Sequence, residues 1–235
     1  MLVLHKFVSA WDVADISPFC IKVETYLRFI DVKFELRTTN NRRSQTSKLP
    51  VLQIDDEYVS DSNQIIARLE RQSQSSLDAS LNESQRITGR LLRSAIEQDF
   101  YFLMMWHYYQ DEQGFEIYWP ELKRYCCEIG VRPWLLPFVK KAVRRKFLKV
   151  LHAQGTGRKN REEVEEEACE ILSLIASILA NKSFIHGEKP TTIDATVYGF
   201  LSRVLFSPFE GKVKDHLQKQ DNLVNYCKRI QTNYY

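Results

Sequence analysis

Ser17 and Cys20 are the residues of this chain best suited by type and spacing to chemistry, held in the run Ser17-Pro18-Phe19-Cys20. The run follows an apolar stretch, Leu2 to Val8, and opens a helical pattern, Ile21 to Arg28. A helix N-terminus presents unpaired N–H groups and the positive end of the helix dipole. A hydroxyl or thiol placed there can hold or activate an anion such as a thiolate. Pro18 suits the first helical position, where its missing N–H costs nothing. The same residue types also fit a structural use, with Ser17 as the helix cap and Cys20 on the buried face. Both uses stay open on these residues alone. Elsewhere the five histidines form no ligand cluster by spacing, and no Ser/His/Asp arrangement can be argued. The five cysteines (Cys20, Cys126, Cys127, Cys169 and Cys227) are odd in number and lack zinc spacing, so reduced thiols and no metal are expected.

Elements must hold this run in place. Leu2 to Val8 reads as a strand, and Lys48 to Ile54 as another with Pro50 at its entry, since a central strand cannot carry a proline in its interior. Asp55-Asp56-Glu57-Tyr58 is a polar turn leading into a short strand at Tyr58-Val59. Asp61-Ser62 starts a helix through Glu70, with Ile65, Ile66 and Leu69 on one face. The polar, serine-rich stretch Gln72 to Ala79 is a linker, and beyond it no convincing strand occurs. Long helices are predicted over Leu81–Tyr109, Phe138–Leu151 and Glu162–Ala180. Thr191-Thr192-Ile193-Asp194 has the form of a capping box ahead of an apolar helix from Ala195 to Leu201, the pattern of a helix buried on all sides.

Residues 1 to about 72 resemble the thioredoxin-like N-terminal domain of cytosolic glutathione transferases, and the Thr191–Asp194 box resembles the one at the start of their core helix. The resemblance spans essentially the whole chain. It is closest to the failed-axon-connections and metaxin branch through Ser17–Arg28, Asp61–Ile66 and the loop Gln154–Glu163. It implies an α/β plus all-α chain: a βαβαββα thioredoxin-like domain at 1–72 and an all-α domain at 80–235. It implies that glutathione, as co-substrate, lies extended against Leu49 and a cis-Pro50, with its γ-glutamyl end held by Asp61 and Ser62. Ser17 would steady the thiolate, with Cys20 a lesser candidate. Serine at the first position of what is C-P-x-C in the thiol classes argues against thiol exchange and agrees with the serine classes such as theta and zeta. The implied activity is conjugation of the thiolate to a small apolar electrophile by a possible homodimer. Some members of the branch act in transport or signalling without established catalysis, so the alternative is a non-catalytic interaction or adaptor protein.

Composition sets bounds around this reading. A length of 235 residues and an apolar fraction of 44% support a real core. The net charge of +3 is too small to indicate nucleic acid. No signal peptide and no apolar stretch of about eighteen residues is visible, which sets the expectation of a cytoplasmic chain without a transmembrane segment. Met104 to Tyr109, with Phe115, Tyr118, Trp119 and Trp134, concentrate aromatic and thioether side chains that suit either an adaptable apolar pocket or a core. Lys140, Lys141, Arg144, Arg145, Lys146 and Lys149 form a basic amphipathic face that suits an anionic membrane or an acidic partner, but the expected use is a solvated face paired with the acidic run Glu162 to Glu167.

Overall fold

The computed structural model describes residues 1–40, 44–73 and 76–235. Four strands form one mixed sheet in the order β2-β1-β3-β4. β1 (Leu2–Lys6) is central, and Val3 to Lys6 are all buried, so the strand is covered on both faces. α1 (Pro18–Phe29) carries the chain across to β2 (Glu35–Thr38), which pairs parallel to β1 with Leu4 opposite Leu36. β3 (Val51–Ile54) runs antiparallel on the other side of β1, with Leu4 opposite Leu52. A tight turn at Asp55, in the left-handed region at φ 52°, returns the chain as β4 (Glu57–Ser60). α2 (Ser62–Gln72) follows and buries Ile65, Ile66 and Leu69, the face expected from the spacing.

The order differs from βαβαββα at one place. Between β2 and β3 the described residues form turns and bends and no helix. The segment from Thr38 to Lys48 explains this: it is entirely polar, so it has no apolar face for a helix to bury.

The helical part begins with α3 (Glu83–Ser94), capped by reciprocal bonds between Asn82 and Gln85. The helix anticipated over Leu81–Tyr109 starts two residues late and is interrupted by π turns at Ala95–Phe100 and Trp106–Gln110, on either side of α4 (Tyr101–Met105). Such turns re-aim side chains and often lie at functional sites. Here they carry Glu97 and Tyr108. α5 (Glu112–Glu128), α6 (Leu136–Gln154) and α7 (Arg161–Leu179) follow, and α8 (Thr192–Leu205) packs against α1, α3, α9 (Lys212–Gln218) and α10 (Asp221–Tyr234). α8 is buried from Ile193 to Val204, which the apolar run in the sequence required. Its first turn is held by Asp194, whose carboxylate accepts from the Thr191 N–H and hydroxyl at 2.8 and 2.7 Å, the Ile185 N–H at 2.8 Å and the Tyr226 hydroxyl at 3.1 Å.

The fold is therefore a thioredoxin-like domain joined to a helical one. The two meet where α1 lies on α8. A Cβ placed on Gly199 would sit 2.7 Å from the Pro18 carbonyl oxygen and 3.0 Å from the Lys22 nitrogen, so only glycine allows this approach. The basic face of α6 pairs differently from expectation: Lys140 reaches Glu116 of α5 at 2.7 Å, and Arg144 donates to the Tyr109 carbonyl at 3.1 Å. The acidic run turns instead to Lys159, Arg161 and Lys212. Among the described residues no helix is long and apolar enough to cross a membrane.

Candidate active site

Ser17 stands at the N-cap of α1 with an extended backbone, φ −105° and ψ 123°. Its hydroxyl makes no capping bond. The cap is supplied by main-chain atoms: the Ser17 carbonyl accepts from the N–H groups of Cys20 and Ile21, both at 3.1 Å. The hydroxyl of this half-buried serine, whose side chain bonds to the Cys20 thiol, stands at the positive end of a twelve-residue helix without being used as its cap. Cys20 sits one turn inside, fully buried. Burial first, and the nearby Asp15 carboxylate second, push its thiol well above the ordinary cysteine range. It stays protonated and packs as an apolar side chain.

The Leu49–Pro50 peptide is cis, and Leu49 is buried beside the start of β3. The main-chain N–H and C=O of Leu49 make no hydrogen bond with the described residues. They present an open edge to which an extended peptide can add, as a strand adds to a sheet. Asp61 and Ser62 form the next turn. Asp61 has φ 74°, and its carboxylate accepts from the N–H groups of Asn63 and Gln64 at 2.9 and 3.1 Å. Ser62 is buried, and its hydroxyl accepts from Lys22 Nζ at 3.3 Å. The carboxylate of Asp61 is therefore engaged in capping α2, and Ser62 offers its main-chain N–H, one of the open donors of a helix start.

Three charged groups at this site have no motif in the sequence. Asp15 is fully buried, accepts from the Ser17 N–H at 2.7 Å, and is raised to about 7 by burial, against the lowering pull of Lys6. Lys6, at the end of β1, donates to Glu24 at 2.7 Å and to the Ala14 carbonyl at 2.5 Å, which fixes the loop that carries Asp15. Lys22 donates to Glu97 at 2.5 Å and Asn63 at 2.7 Å, tying α1 to α2 and to the first π turn. The available signal was a charge at an inward position of an apolar pattern: Lys6 in the first strand, Lys22 and Glu24 in the first helix.

Within the helical part a cavity of about 50 Å³ is lined by Met104, Tyr108, Arg203, Val204 and Phe209 among others. Arg203 is completely buried, and none of its three nitrogens reaches an acceptor at hydrogen-bond geometry. Its guanidinium lies over the rings of Trp11, Tyr108 and Tyr118 at 4.6, 5.2 and 5.9 Å, a cation–π setting that offsets part of the desolvation. Of the aromatic concentration seen in the sequence, Met104 and Tyr108 line this cavity. Tyr109 stacks on Phe147 at 4.0 Å in the core, and Trp134 faces solvent.

Among the described residues no group of three or more potential metal ligands comes together. The class defined by this fold is the glutathione S-transferase family, to which the chain belongs. Residues 18–114 match the glutathione S-transferase N-terminal domain and residues 168–230 the glutathione S-transferase C-terminal domain. The chain is 31% identical over 240 residues to isoprene-epoxide glutathione S-transferase of Rhodococcus sp., covering 100% of this chain and 99% of that protein. It is 28% identical to failed axon connections of Drosophila melanogaster over 98% of this chain and 57% of that protein. It is 25% identical to metaxin-1 of Mus musculus over 99% of this chain and 74% of that protein. A rice glutathione S-transferase solved in complex with glutathione shares the fold at a TM-score of 0.59 and 15% identity, over 99% of this chain and 91% of that one.

Proposed function

We propose that this protein binds glutathione and conjugates its thiolate to a small epoxide, with Ser17 as the group that stabilises the thiolate. The observation that carries this reading is the hydroxyl of Ser17 at the start of α1, which makes no capping bond because main-chain atoms already serve the first turn. In the proposed pose the cysteinyl main chain of glutathione pairs with the N–H and C=O of Leu49 beside Pro50. The γ-glutamyl carboxylate meets the N–H of Ser62, and Asp61 faces the γ-glutamyl ammonium. Ser17 Oγ–H donates to the glutathione sulfur, favouring the thiolate over the thiol. Cys20 has no chemical part, because a buried, protonated thiol cannot attack.

The thiolate forms a C–S bond to one epoxide carbon, and the C–O bond of that carbon breaks with its electron pair going to oxygen. The alkoxide takes a proton from water to give the hydroxy thioether. Arg203, buried and without a protein acceptor, is the donor in the cavity suited to the oxygen as its charge develops. The epoxide is suggested by the name of the 31%-identical relative, and the cavity agrees in being small and largely apolar. The reading includes a cytoplasmic homodimer with its domains divided at 1–72 and 80–235.

Retention on immobilised glutathione together with turnover of a small aliphatic epoxide is the expected outcome. Retention without turnover of either an epoxide or an alkyl halide would replace the enzyme with a binding module. Absence of retention would favour the adaptor reading.

A further inference from the structure

A second cavity, of about 260 Å³, opens between α2, α3 and α8, away from Ser17 and Leu49. Arg86, Arg90 and Arg93 line it from α3, at spacings of four and three that place them on one helix face. Gly89 lies among them, and a Cβ there would come within 3.1 Å of His186 Nε2, so the glycine keeps the space open.

The charges of the wall do not cancel. Lys22 is matched by Glu97 at 2.5 Å. Asp78 is the acidic group of the lining, and it is engaged by the Thr192 N–H and hydroxyl at 2.9 and 2.6 Å. Arg86 is fixed by the main-chain carbonyls of Asp78 and Leu81 at 2.8 and 3.1 Å. Arg90 and Arg93 have no carboxylate within ion-pair distance among the described residues. Two guanidinium charges, three residues apart on one helix face, are therefore left uncompensated.

The deeper wall holds polar atoms that also lack partners. Thr196 is 1% exposed and its hydroxyl makes no hydrogen bond. His186 Nε2 is buried without a partner, and burial lowers the imidazole's pKa, so it is neutral at pH 7 and offers one donor or one acceptor. Buried polar atoms are rarely left unpaired, and these two face the same space.

We infer that this cavity binds a small organic phosphate. Two adjacent forks suit one dianionic head rather than a single carboxylate, since a phosphate monoester carries a charge of about −1.5 to −2 at neutral pH. The volume exceeds what one phosphate group fills, so an organic body lies against Ile66 and Ile193, with Thr196 and His186 meeting its polar atoms.

Isothermal titration of the full chain with phenyl phosphate tests the site, with benzoate as the monoanionic control. Phenyl phosphate is expected to bind at least about tenfold more tightly than benzoate. Arg90→Gln combined with Arg93→Gln, both changes at the cavity rim, should weaken it by about tenfold or more without shifting the thermal melt. Thr196→Val should weaken it by roughly three- to tenfold. Saturating glutathione should leave the phenyl phosphate titration unchanged. The site is refuted by no heat with the parent chain, by equal affinity for benzoate, by unaltered binding in the double variant, or by competitive displacement with glutathione.

Discussion

Asp15 sets the electrostatics immediately behind Ser17. Burial holds its carboxyl up to about 7, so the folded chain keeps a proton there that the unfolded chain releases in the ordinary carboxylate range. Between about pH 4 and about pH 7 the folded state binds more protons than the unfolded one, so stability falls as pH rises through that window. Asp15→Asn removes this titration while its side-chain oxygen can still accept from the Ser17 N–H. The parent is expected to lose melting temperature more steeply than Asp15→Asn over that range. Parallel pH profiles of the two chains would place the titration elsewhere. Cys20→Ser is the companion test: turnover should change less than about threefold in the folded protein, because the buried thiol takes no part in the reaction. The sequence made Ser17 and Cys20 visible together as a motif but did not distinguish them. Only the burial of Cys20 and the half-exposed place of Ser17 at the helix start separate them.

Between elements, the contact that places Ser17 is α1 on α8. Gly199→Ala adds one methyl group where the Pro18 carbonyl stands 2.7 Å away, so α1 must shift at its first turn. A cost of about 1–3 kcal/mol is expected from overpacking, together with a fall in turnover larger than the loss of folded protein explains. Full specific activity in a destabilised Gly199→Ala protein would show that the start of α1 does not need this support. Asp194 acts on stability alone. Its carboxylate satisfies four donors in the buried first turn of α8, and Asp194→Ala leaves the main-chain ones unpaired at about 1–3 kcal/mol each. The melting temperature should drop by roughly ten degrees with glutathione affinity intact in the folded fraction. Loss of ligand at an unchanged melting temperature would contradict that role. The Thr191–Asp194 box was legible because a cap is a local pattern. Gly199 was not, because its reason lies 181 residues away along the chain at Pro18.

At the scale of the whole molecule, β1, β3, β4 and the helices over Phe138–Leu151 and Glu162–Ala180 follow from periodicity and turn residues, whereas the cis state of Pro50 was implied by the resemblance and α5 was not anticipated. The helix expected between β2 and β3, which the described residues do not form, came from the family pattern rather than from the residues Thr38 to Lys48, which are polar throughout. Arg203 and the basic cavity were hidden because they join residues from distant segments: Trp11, Tyr108 and Tyr118 in one case, α2, α3 and α8 in the other. What unites the fold and the site is the claim that a helix start from one domain, seated on the core helix of the other, presents a hydroxyl that holds a thiolate. The most direct measurement is a spectrophotometric pH titration of the glutathione thiolate bound to the parent chain and to Ser17→Ala. The account predicts a bound thiol that ionises at least about one pH unit below the free thiol value of about 8.5 and returns toward it in Ser17→Ala. A bound thiol with the same titration in both proteins would contradict the assignment of Ser17.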